Sequence, residues 1–402
     1  MKYEEKIVNI LFLGYVVPPE EVDRYSGISI AGNKMQWNVI KNLSEYNDVN
    51  ITCLTLAPIA VFPHDKKLYQ HKENINFGKK ITGTRVKFLN MPILKQFSQI
   101  IHMWSEVKKI LKNNSDTIVV GYNMFPQIGV IIRRIKKRYK EVETVCLLAD
   151  LPIDDNKNRS VGSKVLRFFF DKSTKKNLCI CDKYIVLNKY VGNVCIGGKK
   201  YIVIDGGVDE QDILRKRMAS VANKKNILFS GALSEYNGIV NLIKAMTLIK
   251  SNDVSLDIYG GGYLEEWVRK QADILPNISY YGRISNEAVM KKQQEAWLLI
   301  NPRPINDAIA KVTFPSKTFE YMLSGTPILA TKLEAYGEEY NDKLFFIEGD
   351  TPEVLAEAID RVHDLDDDTL LQTSNRAQQF VIEEKSWKNQ TKKIYGFLKH
   401  EF

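Results

Sequence analysis

The amino-acid sequence predicts an α/β chain of two Rossmann-like domains, each a parallel sheet covered by helices. Three observations support this. At 402 residues the chain exceeds one ordinary core and suits two domains. Short apolar runs alternate with segments of helical period, the signature of parallel strands joined by crossover helices. These runs fall into two successive sets of roughly six, as two doubly wound sheets require. The composition, 44% apolar and 26% charged, is that of a globular chain and excludes broad disorder.

In the first half the expected strands are residues 7–15, 50–57, 117–122, 143–150, 183–188 and 200–205. In the second half they are 226–231, 255–260, 277–282, 296–303, 326–331 and 343–349. Each is rich in Val, Ile, Leu or aromatic residues, and most end at Gly, Asn or Asp, where a parallel strand hands over to a loop. The domain boundary is expected near Asp205–Gly206–Gly207 or in the polar stretch 215–226. The last segment, 383–402, reads as a helix with Trp387, Ile394, Tyr395, Phe397 and Leu398 on its apolar positions, packing back on the first domain.

Charge divides the chain. Residues 1–200 hold 33 Lys and Arg against 18 Asp and Glu, and residues 201–402 hold 24 against 30. A basic first half joined to an acidic second half implies two domains with different partners. Segments 130–142 and 163–176 mix Lys and Arg with bulky apolar residues. Each is either a buried apolar stripe with a solvated basic face, or a face that lies on an anionic membrane. No run approaches the length of a membrane-spanning helix, and the acidic start, MKYEEKIVNILFLGYVVPP, reads as a first strand rather than a secretory leader. The five cysteines, Cys53, Cys146, Cys179, Cys181 and Cys195, are scattered and odd in number, which suits reduced thiols in a cytoplasmic protein. The C-x-C pair at 179 and 181 lacks the further ligands a zinc site needs, so no metal is expected. The acidic run 364–368 reads as a solvated loop.

The strongest chemical signal is residues 298–331, LLINPRPINDAIAKVTFPSKTFEYMLSGTPILAT. A strand ends at Asn301–Pro302–Arg303. Pro315 is expected as the first residue of a helix, with Thr313 and Phe314 as candidate caps, and the helix stops at Ser324–Gly325. A helix N-terminus offers unpaired N–H groups and a positive dipole end, which suit a phosphate. Lys317 adds a cation there, and Glu320, one turn further on the same face as Ser316, is placed to grip ribose hydroxyls.

The stretch FPSKTFEYMLSGTPILA resembles the donor site of the family-4-type retaining glycosyltransferases of GT-B fold, in the subgroup with an FPSK-x-x-E motif. The resemblance implies two facing Rossmann-like domains: an acceptor-binding domain over 1–205, a nucleotide-sugar domain over 206–382 and a crossing helix over 383–402. It places Glu320 on the ribose-binding Glu of the family's Glu-x7-Glu pattern. Val312 stands where the first Glu would be, so Thr313 and Phe314 become the candidates for holding the donor sugar. Residues 227–246 resemble the segment that opens the donor domain, but Ala232 and Asn237 replace the family's diphosphate-binding Arg and Lys. Arg303 and Lys317 are their expected substitutes.

Residues 255–268 resemble the strand with a Gly-rich turn, and Gly260 to Gly262 read equally well as a plain turn. Around Gly282, the backbone of Arg283 and Ile284 is implied to meet the base. Pro315, Ser316 and Thr318 complete the implied donor set. In the first half, 14–43 resembles the family's glycine loop, with Gly32 and Asn33 approaching the donor phosphates as only a glycine lets a backbone do. Residues 147–155 fall at the family's His-Asp pair, here Ala149–Asp150, and Asp150 is the candidate contact to the transferred sugar or acceptor. Residues 202–213 resemble the turn that closes the first domain.

The activity implied is transfer of a hexose-type sugar from a nucleotide-sugar, UDP favoured over GDP, to a saccharide acceptor, with retention and without metal or other cofactor. A lipid-linked acceptor in bacterial surface-polysaccharide assembly, on the inner face of the cell membrane, fits the basic first half. A non-catalytic subunit of this fold and a sugar-nucleotide epimerase are the alternatives. The absence of G-x-G-x-x-G after the first strand argues against a nicotinamide enzyme, and the acidic half argues against a nucleic-acid binder.

Overall fold

The computed structural model describes residues 7–25, 27–78, 80–114, 116–151, 172–214, 224–305 and 308–401. Most of segment 163–176 and of the polar stretch 215–226 lies outside the described residues. The chain divides into two compact units, Met1–Asp205 with Trp387–Phe402, and Gly206–Ser386.

The first unit begins with β1 (Val8–Gly14), α1 (Ile30–Leu43), β2 (Val49–Thr55), β3 (Tyr69–Gln70), β4 (Glu73–Asn76), β5 (Ile81–Arg85) and β6 (Phe88–Leu89). It continues with α2 (Leu94–Asn113), β7 (Thr117–Tyr122), α3 (Pro126–Arg138), β8 (Thr144–Leu148), a helical stretch α4 (172–177), β9 (Lys183–Val186), α5 (Lys189–Val194) and β10 (Lys200–Val203). Its main sheet runs β10-β9-β8-β7-β1-β2-β5-β4, parallel except for the antiparallel edge strand β4. The first strand of the chain lies at the centre, and the order reverses between β1 and β7. This is the doubly wound arrangement, which opens a crevice at the carboxyl ends of those two strands.

The second unit holds α6 (Glu210–Leu214), β11 (Asn226–Ser230), α7 (Ile239–Ala245), β12 (Ser255–Tyr259), α8 (Glu265–Ile274), β13 (Ile278–Gly282), α9 (Asn286–Glu295) and β14 (Leu298–Asn301). Then come α10 (Ala308–Val312), α11 (Lys317–Ser324), β15 (Ile328–Thr331), β16 (Phe345–Ile347), α12 (Pro352–His363) and α13 (Asp367–Glu384). Its sheet, β13-β12-β11-β14-β15-β16, is wholly parallel and reverses between β11 and β14. The expected α/β class with two parallel Rossmann-like sheets is therefore the fold. The central strands are buried on both faces, Leu11 and Leu13 as fully as their neighbours, which is why they read as continuous apolar runs.

Several local expectations are corrected. Strands β3 to β6 carry no apolar run. The core strand β5, Ile-Thr-Gly-Thr-Arg, looks polar because Arg85 is buried on an ion pair with Glu21 at 2.7 Å. The apolar residues of α3, Ile128, Ile131, Ile132 and Ile135, are fully buried, so the apolar stripe of 130–142 belongs to the core and its basic side chains form the outer face. The acidic run 364–368 is a helix start, with Asp366 accepting the Thr369 N–H at 2.7 Å as the cap of α13.

The terminal segment is not one helix. α13 ends at Glu384, and the last helix, α14 (Trp387–Leu398), starts after the break. Trp387, Ile394, Phe397 and Leu398 enter the core of the first unit. Tyr395 stacks on Tyr46 at 3.9 Å, its hydroxyl donates to Asp48 at 2.7 Å, and Lys399 donates to the same carboxylate at 3.0 Å. Burial alone would raise the Asp48 pKa. The bonds from Tyr395 and Lys399 outweigh it and hold the carboxyl below its ordinary value.

A folded-state pKa below the unfolded one gives stability that is present above about pH 4 and lost as pH falls through the folded value. Asp48→Asn is therefore expected to cost about 1–2 kcal/mol at neutral pH, with the gap to wild type closing in acid. Urea midpoints of the two proteins across this range check it. A pH-independent gap would show that the charge is not what ties α14 down.

Candidate functional site

At the order reversal of the second sheet, β11 ends at Ser230–Gly231 and β14 at Asn301–Pro302–Arg303, and α11 starts beside them. α11 begins at Lys317, two residues later than expected. Ser316 stands at the cap position without a side-chain cap bond, and the Thr318 N–H turns back to the Pro315 carbonyl at 2.9 Å. Thr313 and Phe314 do not cap. The Thr313 hydroxyl pairs with the Tyr236 hydroxyl at 3.2 Å, and Phe314 is buried, stacked on Phe319 at 4.9 Å. The aromatic cluster of Phe314, Tyr336 and Tyr340 holds this segment, and that packing moves the helix start to Lys317.

Glu320 is fixed from behind. The Gln293 amide on α9 donates to Glu320 Oε1 at 2.5 Å and to Ser230 Oγ at 3.1 Å. The Tyr321 hydroxyl lies 3.1 Å from the same Ser230 hydroxyl, and burial pushes its pKa up to about 12, so it stays a neutral partner. The Lys317 side chain lies along Gly231. Arg303 donates to the Tyr236 hydroxyl at 2.8 Å with its guanidinium 4.7 Å over that ring. Thr318 pairs with the Tyr336 hydroxyl at 2.7 Å, whose pKa burial raises to about 12. Sequence reasoning named Arg303, Thr313 and Thr318 but missed Gln293, Tyr236 and Tyr336. No motif marks these three, because they work through distant partners.

The floor of the site is made of backbone. Gly260 adopts φ +138°, and a Cβ there would overlap the Gly231 carbonyl. Its N–H donates to the Gly282 carbonyl at 2.8 Å, and the Gly231 N–H donates to Tyr259 at 3.0 Å. The strand ends of β11, β12 and β13 thus close up at glycines, with the Arg283 guanidinium lying on Gly261 and Ile284 exposed beyond it. Val312, at the position of the absent Glu, is buried, and Asn237 bonds back to the Ala232 carbonyl at 2.8 Å.

Gly32, Asn33 and Asp150 belong to the first unit, at its own order reversal. There a cavity of about 380 Å³ is lined by Tyr15, Gly32, Gln36, Tyr122, Phe125 and Asp150, with Lys95, Gln96 and Gln99 from α2. The Gly32 N–H is capped by Ser29 Oγ at 3.2 Å, and a Cβ on Gly32 would meet the Tyr122 hydroxyl. Asn33 is tied in both directions to the Val17 backbone, at 2.8 and 2.9 Å, and its own N–H bonds Ser29. Its side chain is thus a brace for the loop after β1. Asp150 has an open edge, but its carboxyl is crowded by the cavity wall. Desolvation raises its pKa above its ordinary value, against a 3.4 Å bond from the Asn123 amide. Tyr15 meets Phe125 edge-on at 5.5 Å, giving the cavity an aromatic wall. Among the described residues no three His, Cys, Asp or Glu gather as a metal-holding group, and no helix is long and apolar enough to cross a membrane.

Residues 224–364 match the model of the family "Glycosyl transferases group 1". Among solved structures the chain is similar to sucrose-phosphate synthase from Thermosynechococcus elongatus, at 14% identity and TM-score 0.69, covering 98% of this chain and 99% of that one. It is similar to Anabaena HepE in complex with UDP, at 15% identity and TM-score 0.62, covering 98% and 100%. The apo form of the lipopolysaccharide outer core galactosyltransferase WaaB matches at 14% identity and TM-score 0.65, covering 98% and 100%. No curated protein matches the chain in sequence. These likenesses give the GT-B fold, and with the family match they support a transferase.

Replacing Gly260 by Ala is expected to cost at least about 2 kcal/mol, since the side chain meets both a left-sided φ and a backbone carbonyl. Chemical denaturation measures this, and a loss below about 0.5 kcal/mol would mean the strand ends are not as closely joined as described.

Proposed function

We propose that the chain is a glycosyltransferase that moves a hexose-type sugar from a UDP-sugar to a saccharide acceptor, with retention at the anomeric carbon and without a metal ion. The observation that carries the reading is the start of α11. Lys317, a helix start without a side-chain cap and a Glu320 held by buried Gln293 stand together at the order reversal of a parallel sheet, inside the segment that matches the transferase family. The UDP seen with HepE, and UDP-glucose in a related HepE structure, favour uridine as the base.

The chemistry follows from charge. When the bond from the anomeric carbon to the diphosphate breaks, negative charge grows on the departing phosphate. The α11 N-terminus, worth about half a positive charge, and the Lys317 ammonium stabilise that charge where it forms. Arg303, held rigid on Tyr236, adds a second cation, and Glu320 accepts from the ribose hydroxyls. The glycine floor formed by Gly231, Gly260 and Gly282 lets the nucleotide approach the backbone, with Arg283 and Ile284 beside the base.

The acceptor lies in the cavity of the first unit, its sugar rings against Tyr15 and Phe125, and Asp150 accepts from an acceptor hydroxyl. We assign no side chain as general base. The acceptor is a lipid-linked saccharide of bacterial surface-polysaccharide assembly. The similarity to WaaB, a lipopolysaccharide galactosyltransferase, and the basic first half support this assignment.

Calorimetric titration with UDP, GDP and ADP, with and without EDTA, tests the donor site. UDP is expected to bind in the micromolar range unaffected by EDTA. Glu320→Ala and Lys317→Ala should each weaken binding about tenfold or more, with thermal melts confirming a folded protein. Equal affinity of wild type and both variants would defeat the assignment. Absence of binding to any of the three nucleotides would favour a non-catalytic subunit.

A further inference from the structure

Helix α2 is built inside out over its first half. Its buried face begins with Lys95 and Gln99, and only further along turns apolar with Met103, Val107 and Leu111. Its outer face carries Ile93 at the cap, then Leu94, Phe97 and Ile101, between 47% and 62% exposed. These positions recur at helical spacing and form one stripe, which Trp104 continues a turn later. A surface helix in water has the reverse arrangement. Ile93 also holds φ +64°, a backbone conformation that strains a β-branched residue.

The charge around the stripe says what covers it. α2 and α3 lie against each other, and together they carry nine Lys and Arg, four and five respectively, against the single Glu106. Glu106 is already paired to Lys72 at 2.9 Å and Lys109 at 3.1 Å. The Arg134 guanidinium sits 5.9 Å over Trp104, so the basic outer face of α3 adjoins the apolar stripe directly. Apolar side chains flanked by cations match the acyl boundary and headgroups of an anionic bilayer.

We propose that α2 is the membrane-docking element of this protein. Ile93, Leu94, Phe97 and Ile101 insert at the surface of an anionic lipid bilayer, and Arg134, Lys137 and Arg138 of α3 meet its headgroups. The inference rests on the lipid-linked acceptor proposed above and adds where the bilayer lies. Lys95, Gln96 and Gln99 point from the same helix into the cavity, so an acceptor's polar head would enter behind α2 while its lipid stays in the membrane in front.

The test is flotation of the full chain with phosphatidylcholine vesicles and with vesicles holding roughly 30% phosphatidylglycerol, at low and high salt. Binding is expected to the anionic vesicles only. Phe97→Ser with Ile101→Ser should lower it at least about tenfold at either salt concentration. Lys137→Gln with Arg138→Gln should lower it by a similar factor at low salt alone. Neither pair should change UDP affinity, which is measured without vesicles. Absence of vesicle binding, or binding that ignores Phe97 and Ile101, overturns the proposal. So does a dimer that the serine pair dissociates, since a second copy would then cover the stripe. UDP binding without vesicle binding overturns this inference alone, and vesicle binding without UDP binding overturns the donor site alone.

Discussion

A parallel strand cannot return to its neighbour through a tight hairpin, and the rest of the structure follows from that constraint. Every strand that is followed by a parallel neighbour must lead into a crossover, so the loops that leave these strands gather at the carboxyl edge of each sheet. Where the strand order reverses, two of those loops diverge and leave a crevice. In the second unit the crevice lies between β11 and β14 and receives the start of α11. In the first it lies between β1 and β7 and widens into the cavity beside Asp150. Both candidate sites are consequences of topology before they are consequences of any particular side chain.

What the crevice of the second unit does with its side chains is unusual in its economy. Ser230, at the end of β11, is bonded by Gln293 and Tyr321 at once, and the same Gln293 holds Glu320. One strand end therefore fixes the carboxylate, and a short helix can present it without relying on its own rigidity. With Val312 buried and Asn237 folded back on its loop, the cations at the site are Lys317, Arg303 and the Arg283 that lies on Gly261. The Tyr236 ring beneath Arg303 orients that cation without neutralising it.

Much of this was legible in the sequence, for physical reasons. Strands buried on both faces read as unbroken apolar runs, so β1, β7, β8, β11, β14 and β15 declare themselves. β5 does not, because its buried Arg85 and Gly83 hide a core strand behind polar letters. The donor segment was legible because Pro, Gly and a charged turn punctuate it, yet its helix start was misplaced by two residues. The aromatic packing of Phe314 against Phe319 and Tyr336 that sets the start joins residues whose contact no spacing rule reveals. Gln293 left no trace, since on a helix as charged as α9 a glutamine looks like one more solvated residue.

α2 shows the same limit from the other side. Its composition suggested nothing, because apolar and polar residues alternate at an ordinary helical period; only the structure shows which face points in. Burial lowers the Lys95 pKa, with Asp65 opposing, and the ammonium finds the Ile59 carbonyl at 2.5 Å and the Phe88 ring as its partners. Exchanging Lys95 and Phe97 between the two faces would give a more stable helix by any local measure. A chain that instead keeps a desolvated cation on the cavity wall, four exposed apolar side chains outside and a left-handed isoleucine at the cap carries three separate costs on one helix. Local stability explains none of them; the docking proposed for α2 accounts for the exposed stripe, and a cavity wall that needs a polar lining accounts for Lys95.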